Sequence, residues 1–167
     1  MKKLFVILMC CLGLAFTSCK PDPKPYEKFV GEYLGNIELE GKLTAVAVPG
    51  VELDLTGAHF SLGAKIDPST NENQVYVTFT VQEENYTTTG NVKDNTIEFG
   101  TLSYTYVDKT TNTEFLVHLD LTGTLTNENT ITLTGPFTGN GGVTYEGMTM
   151  IMNTSGSVTG SLNRLAQ

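Results

Sequence analysis

The sequence predicts an all-β protein, an antiparallel barrel of about 8–10 strands or alternatively a β-sandwich, and three observations lead there. Apolar and polar residues alternate with period two beyond Phe29, and almost nothing repeats every 3.6 residues. About ten such runs follow one another every 8–14 residues, divided by short polar turns. The chain carries 26 Thr and 17 Gly among 167 residues, and β-branched Thr suits the solvent side of a pleated sheet.

Taken in order, Tyr33, Gly35, Ile37 and Leu39 fill one side of a first strand, and Gly41 is expected to break it. The run Lys42–Val48 ends at the turn Pro49-Gly50; Val51, Leu53 and Leu55 alternate as far as Gly57. His59–Ile66 leads into turn chemistry over Asp67–Asn73, and Val75, Val77, Phe79 and Val81 form one face of the next strand. Asp94-Asn95 divides Tyr86–Lys93 from Thr96–Phe99, and Leu102–Val107 precedes a strand read over Glu114–Leu125. After Ile131–Leu133 the Gly-rich stretch Pro136–Gly142 reads as a hairpin loop, followed by strands over Val143–Met152 and Val158–Arg164. The echo of Leu53–Gly57 in Leu119–Gly123 and that of Thr70–Asn73 in Thr126–Asn129 have different offsets, which excludes a repeat architecture.

Three segments follow from composition: 1–18 as an export signal, 19–28 as a Pro-rich tether and 29–167 as the β-barrel domain. Lys2 and Lys3 precede a 13-residue apolar run, Leu4–Phe16, shorter than the ~20 residues that span a bilayer. Phe16-Thr17-Ser18-Cys19 then resembles the lipobox of bacterial lipoproteins, which implies cleavage before Cys19 and lipidation of its thiol. Cys10 and Cys11 would leave with the signal, so the mature chain would hold no second Cys and no internal disulfide. Pro21, Pro23 and Pro25 favour an extended stretch that holds the domain off a membrane. The expected location is the cell envelope, on the outer membrane, with its periplasmic or surface face left open.

Lys plus Arg number 10 against 18 Asp plus Glu, a net charge of −8, which argues against nucleic acid as a partner. Chemistry-bearing motifs are sparse. The histidines, His59 and His118, lie on separate strands and lack a further ligand for zinc; His118 shares a strand face with Asp120, a pairing read as solvent-facing polar residues. Asp67, Asn71, Glu72 and Asn73 offer oxygens, but with a spacing unlike a calcium loop. The sequence therefore gives no catalytic residue, metal or cofactor, and the expectation is a non-enzyme.

The candidate ligand-binding residues are apolar. Met148, Met150 and Met152 share one face of a strand, either as gap filling in a core or as a surface that accepts variable partners, with Val143 placed on the opposite face. Tyr104 and Tyr106 share a face with Leu102 and either edge a pocket or cap a core.

Val30-Gly31-Glu32-Tyr33 opens the first strand, Tyr33-Leu34-Gly35 continues it, and Arg164 sits near the end of the last. In these residues the chain resembles the calycin-like and lipocalin-like lipoproteins of Bacteroides-type bacteria. The resemblance implies that first and last strands pair, with Gly31, Tyr33 and Arg164 forming a structural clamp in which the guanidinium covers the Tyr33 ring. It leaves two functional classes: a lipid-anchored binding module for a small hydrophobic or carbohydrate ligand, or a non-catalytic structural subunit of an envelope protein complex.

Overall fold

The computed structural model describes residues 23–108, 113–145 and 148–166, so the segment expected to be an export signal and Cys19 lie outside the described residues. A 3-10 turn, Glu27–Phe29, is followed by ten strands: β1 (Gly31–Ala45), β2 (Glu52–Pro68), β3 (Gln74–Val81), β4 (Glu84–Lys93), β5 (Thr96–Phe99), β6 (Leu102–Asp108), β7 (Thr113–Leu119), β8 (Thr122–Asn127), β9 (Thr130–Tyr145) and β10 (Met148–Arg164). Pairing in the order β10-β1-β2-β3-β4-β5-β8-β9, with β9 returning to β10, closes an antiparallel eight-stranded barrel. Hairpin β6–β7 lies outside this ring, attached to β9.

Alternation builds the wall directly. In β3 the inward residues Val75, Val77, Phe79 and Val81 are all buried while Tyr76, Thr78 and Thr80 look outward or sit half-covered. Full burial of a Val, Ile, Leu or Phe side chain is worth roughly 1.5–3 kcal/mol before entropy is charged against it. The lower half of the barrel is filled this way, by Phe29, Leu62, Ile66, Phe79, Ile97 and Ile131 among others, with Phe79 and Phe99 edge to face at 5.1 Å.

Several boundaries differ from the sequence reading. Gly41 does not break β1: it stands opposite Gly156 of β10 in a continuous ladder, with a register shift against β2 between Leu39 and Gly41. β2 likewise runs through Gly57. Pro136–Gly142 is not a hairpin loop but the middle of β9, and its glycines answer a tertiary need. A Cβ on Gly141 would fall 2.0 Å from the Glu114 carbonyl oxygen and one on Gly139 2.5 Å from that of Leu116, so only glycine lets β7 approach β9. The strand read over Glu114–Leu125 divides at Asp120-Leu121 into β7 and β8, and the one over Val143–Met152 is the join of β9 and β10, which pair from Tyr145↔Met148. Tyr26, expected within the extended segment before 29, is buried together with Phe29, so the segment from Tyr26 packs against the barrel.

The division of β7 from β8 positions the site. Along one edge of β9, Thr130–Thr134 pairs with β8, and beyond it Phe137–Gly142 pairs with β7. Below this change of partner, β4, β5, β8 and β9 complete the ring. Above it, β2 meets β3 only over Gly63–Pro68, and β6 pairs with β7 alone. The upper part of the barrel is therefore a curled sheet, β2-β1-β10-β9-β7-β6, with two unpaired margins: Glu52–Leu62 of β2 and Leu102–Asp108 of β6.

Candidate functional site: an apolar cavity beneath an open seam

The upper half of the barrel contains a cavity of about 320 Å³. Ile37, Leu39, Val81, Phe115, Val117, Leu119 and Phe137 make its buried wall, and Leu43, Leu55, Ala58, Phe60, Tyr106 and Val143 its half-exposed upper part. The gradient describes a well, sealed below by the packed core and open above. Its volume lies at the lower end of the ~300–1,000 Å³ common for ligand pockets.

Polar groups are scarce within it. Thr154 on β10 is 5% exposed, lines the cavity, and its Oγ1 has no hydrogen-bond partner. Tyr104 is buried, and its hydroxyl donates to the Gln82 side-chain oxygen. Gln82 and Glu83, at φ 48° and 70°, form the two-residue turn between β3 and β4, a mirror-image turn geometry that fits the twist of a hairpin. This turn stands below the seam between β2 and β6. Around it four rings meet edge to face: Phe60 with Tyr104 (6.5 Å) and Tyr106 (5.9 Å), and Tyr86 with Tyr104 (5.8 Å). The Tyr86 hydroxyl donates to Glu84 Oε2 at 2.6 Å. Burial, then that hydrogen bond and the Glu84 charge, push the Tyr86 phenol up to about 12; burial, then Glu84, raises Tyr104 as well. Both tyrosines are therefore uncharged at neutral pH.

Of the sequence candidates, Tyr104 and Tyr106 line the cavity. The three methionines share the inward face of β10 but diverge along it: Met152 is completely buried in the core, Met150 is half-buried and Met148 is 67% exposed. None of the three is among the lining residues, where β10 contributes Thr154 instead. Val143 pairs with Met150 across β9–β10 and so shares its face, rather than opposing it. Sequence reasoning did not single out Leu43, Leu55, Ala58, Phe60, Val117 or Phe137: Phe137 fell in the stretch read as a loop, the register shift opposite Leu39/Gly41 breaks the alternation between Leu55 and Ala58, and nothing local marked which end of the barrel would be left unfilled.

Gly31, Tyr33 and Arg164 come together at the opposite, lower end. Tyr33 stands opposite Arg164 in the β1–β10 ladder, with the guanidinium carbon 5.3 Å from the ring centroid. Arg164 Nη2 and Nε donate to the Tyr33 hydroxyl at 2.6 and 3.2 Å, and Nη2 also donates to the Lys28 carbonyl; the hydroxyl in turn donates to the Phe29 carbonyl at 2.8 Å. Gly31 has φ 153°, and a Cβ there would lie 3.5 Å from Arg164 Nε.

The polar candidates have other partners. His118 Nδ1 is 2.8 Å from Ser103 Oγ, and Asp120 accepts from Thr101 at 2.6 Å, so these two are engaged separately. His59 is 3.7 Å from Glu38 on the outer wall. Asn71 caps its own turn through Asn73 N, while Asp67 and Glu72 face Lys65 and Lys24. Among the described residues no three His, Cys, Asp or Glu side chains cluster as a metal site would require.

No protein-family model and no curated protein matches the chain. Among solved structures, a protein with unknown function of the DUF3598 family from Nostoc punctiforme aligns with 83% of this chain at 11% identity and a TM-score of 0.35. The chain spans about half that protein's length, 48%.

Proposed function

We propose that this protein is a non-catalytic binding module of the cell envelope, anchored through a lipid on Cys19, whose barrel holds one small hydrophobic ligand. The observation that carries this reading is the apolar cavity of about 320 Å³ beneath the open seam. Closed eight-stranded barrels are either filled by side chains or hold a single small ligand, and this one does the first in its lower half and leaves room for the second above. An apolar cavity of this size gains from a guest that replaces poorly bonded water with dispersion contacts. The scarcity of polar lining groups favours a hydrophobic over a carbohydrate ligand, since each sugar hydroxyl buried without a partner would cost about 1–3 kcal/mol.

The anchor reading is compatible with the geometry of the domain. The described chain enters at the lower end, where Lys24 faces Glu72 and Lys28 donates to Asn95, so a tether from Cys19 reaches the barrel at the end opposite the mouth. Replacing Cys19 by Ser should release the protein from the membrane fraction; retention after a detergent-free wash would contradict the anchor. The ligand claim is tested by native mass spectrometry of the mature protein purified from its own envelope, in which a bound apolar small molecule is the expected finding.

A second reading, an interaction subunit of an envelope complex, rests on one observation. Val46, Val48, Leu53, Val107, Met148 and Ile151 are all exposed around the mouth, a concentration that can serve a protein contact. Recovery of a stoichiometric protein partner with no small molecule would favour it.

A further inference from the structure

We infer that the ligand is a cationic amphiphile: its apolar body fills the cavity, and an ammonium group sits at the seam among Phe60, Tyr86, Tyr104 and Tyr106 beside Glu84. This deepens the hydrophobic-ligand reading and rests on it. Two independent features of the seam support it. The first is the ring cluster. Three edge-to-face contacts at 5.8–6.5 Å group four aromatic rings at one margin of the well, and Phe60, Tyr104 and Tyr106 line the cavity itself. A ring face binds a cation through its quadrupole, and a desolvated group of rings is the recurrent way proteins hold ammonium ions. Each suitably placed ring contributes roughly 2- to 30-fold in affinity, the binding equivalent of its usual interaction energy.

The second is charge. Among the described residues the open end carries Glu52, Asp54, Glu83, Glu84 and Glu114 against one lysine, Lys42, and that lysine donates to Glu52 at 2.9 Å. Glu84 is bonded to the Tyr86 hydroxyl, which aligns a carboxylate with the ring cluster. An anionic headgroup would meet these carboxylates at the seam, where the Tyr86 and Tyr104 hydroxyls already donate to Glu84 and Gln82. A neutral headgroup could donate a hydrogen bond to a carboxylate but would gain no charge–charge attraction from it.

Three probes with one tail separate the possibilities: dodecyltrimethylammonium, dodecanol and dodecyl sulfate, each titrated calorimetrically below its micelle concentration into the mature protein. The expected result is binding of the ammonium probe at least tenfold tighter than either other. That preference should fall several-fold in Glu84→Gln and in Tyr104→Leu, and persist in Glu128→Gln, which removes a carboxylate from the far end of the barrel. Equal binding of all three probes would overturn the cationic headgroup and leave the hydrophobic site standing. A preference unchanged by Glu84→Gln and Tyr104→Leu would overturn it too, because general attraction to an acidic protein would then explain it. Binding of none would overturn both readings.

Discussion

The Tyr33 hydroxyl joins three parts of the chain, donating to the Phe29 carbonyl while accepting from Arg164 at the end of the last strand. Tyr33→Phe keeps the ring and removes that junction, leaving buried or half-buried polar groups unpaired; urea unfolding should show a loss of about 1–3 kcal/mol. Thr154 presents the opposite case, a buried hydroxyl that bonds to nothing and lies on the cavity wall. Thr154→Val is close to isosteric and removes only the unsatisfied group, so the ligand-free protein should gain roughly 1 kcal/mol in the same measurement. Tyr86 gives a pH signature. Its folded value of about 12 exceeds the ordinary 10, so the unfolded chain releases this proton first as pH rises. The associated stability is complete below pH 10 and is lost as pH climbs toward 12. A phenolate absorbance titration should contain a late ionisation near pH 12 that Tyr86→Phe abolishes. A titration complete near pH 10 would contradict the burial and the Glu84 contact.

At the scale of elements, β9 shows what sequence conveys and what it conceals. Its inward residues Ile131 and Leu133 follow plain alternation, and so does the whole of β3, because half-burial of a pleated strand leaves a period-two record. Gly139-Asn140-Gly141-Gly142 leaves a turn-like record for another reason: at Gly139 and Gly141 the space that a side chain would need is occupied by the β7 backbone, and that neighbour is about 25 residues away in sequence. Gly141→Ala should accordingly separate β7 from β9 and loosen the β6–β7 hairpin. Faster amide exchange confined to those strands is the expected readout; unchanged protection would contradict the close approach. The Gln82-Glu83 turn was hidden in the same way, since neither residue is the Asn or Gly that usually marks a positive φ. The pairing of first and last strands, with Tyr33 opposite Arg164, was expected only through the resemblance carried by Gly31, Tyr33 and Arg164. The site was legible only in part, through Tyr104 and Tyr106, because alternation states which way a side chain points and not whether anything will meet it there.

For the whole molecule, one barrel carries two different interiors. The lower half is packed solid and clamped by Arg164, whereas the upper half loses the β2–β3 and β4–β5 closure and keeps a hollow. The most direct test is to plug that hollow from a lining position whose side chain is small. Ala58→Trp does this, since Ala58 lines the cavity with a single methyl group. Calorimetric titration of dodecyltrimethylammonium or dodecanol into both proteins, with a thermal melt of each, measures occupancy and fit together. The parent should bind, Ala58→Trp should not, and the variant should melt no lower than the parent because the indole enters existing space. A variant destabilised by the ~1–3 kcal/mol typical of overpacking, beside a parent that binds neither probe, would mean that the upper barrel is a filled core and would contradict the claim of a ligand cavity.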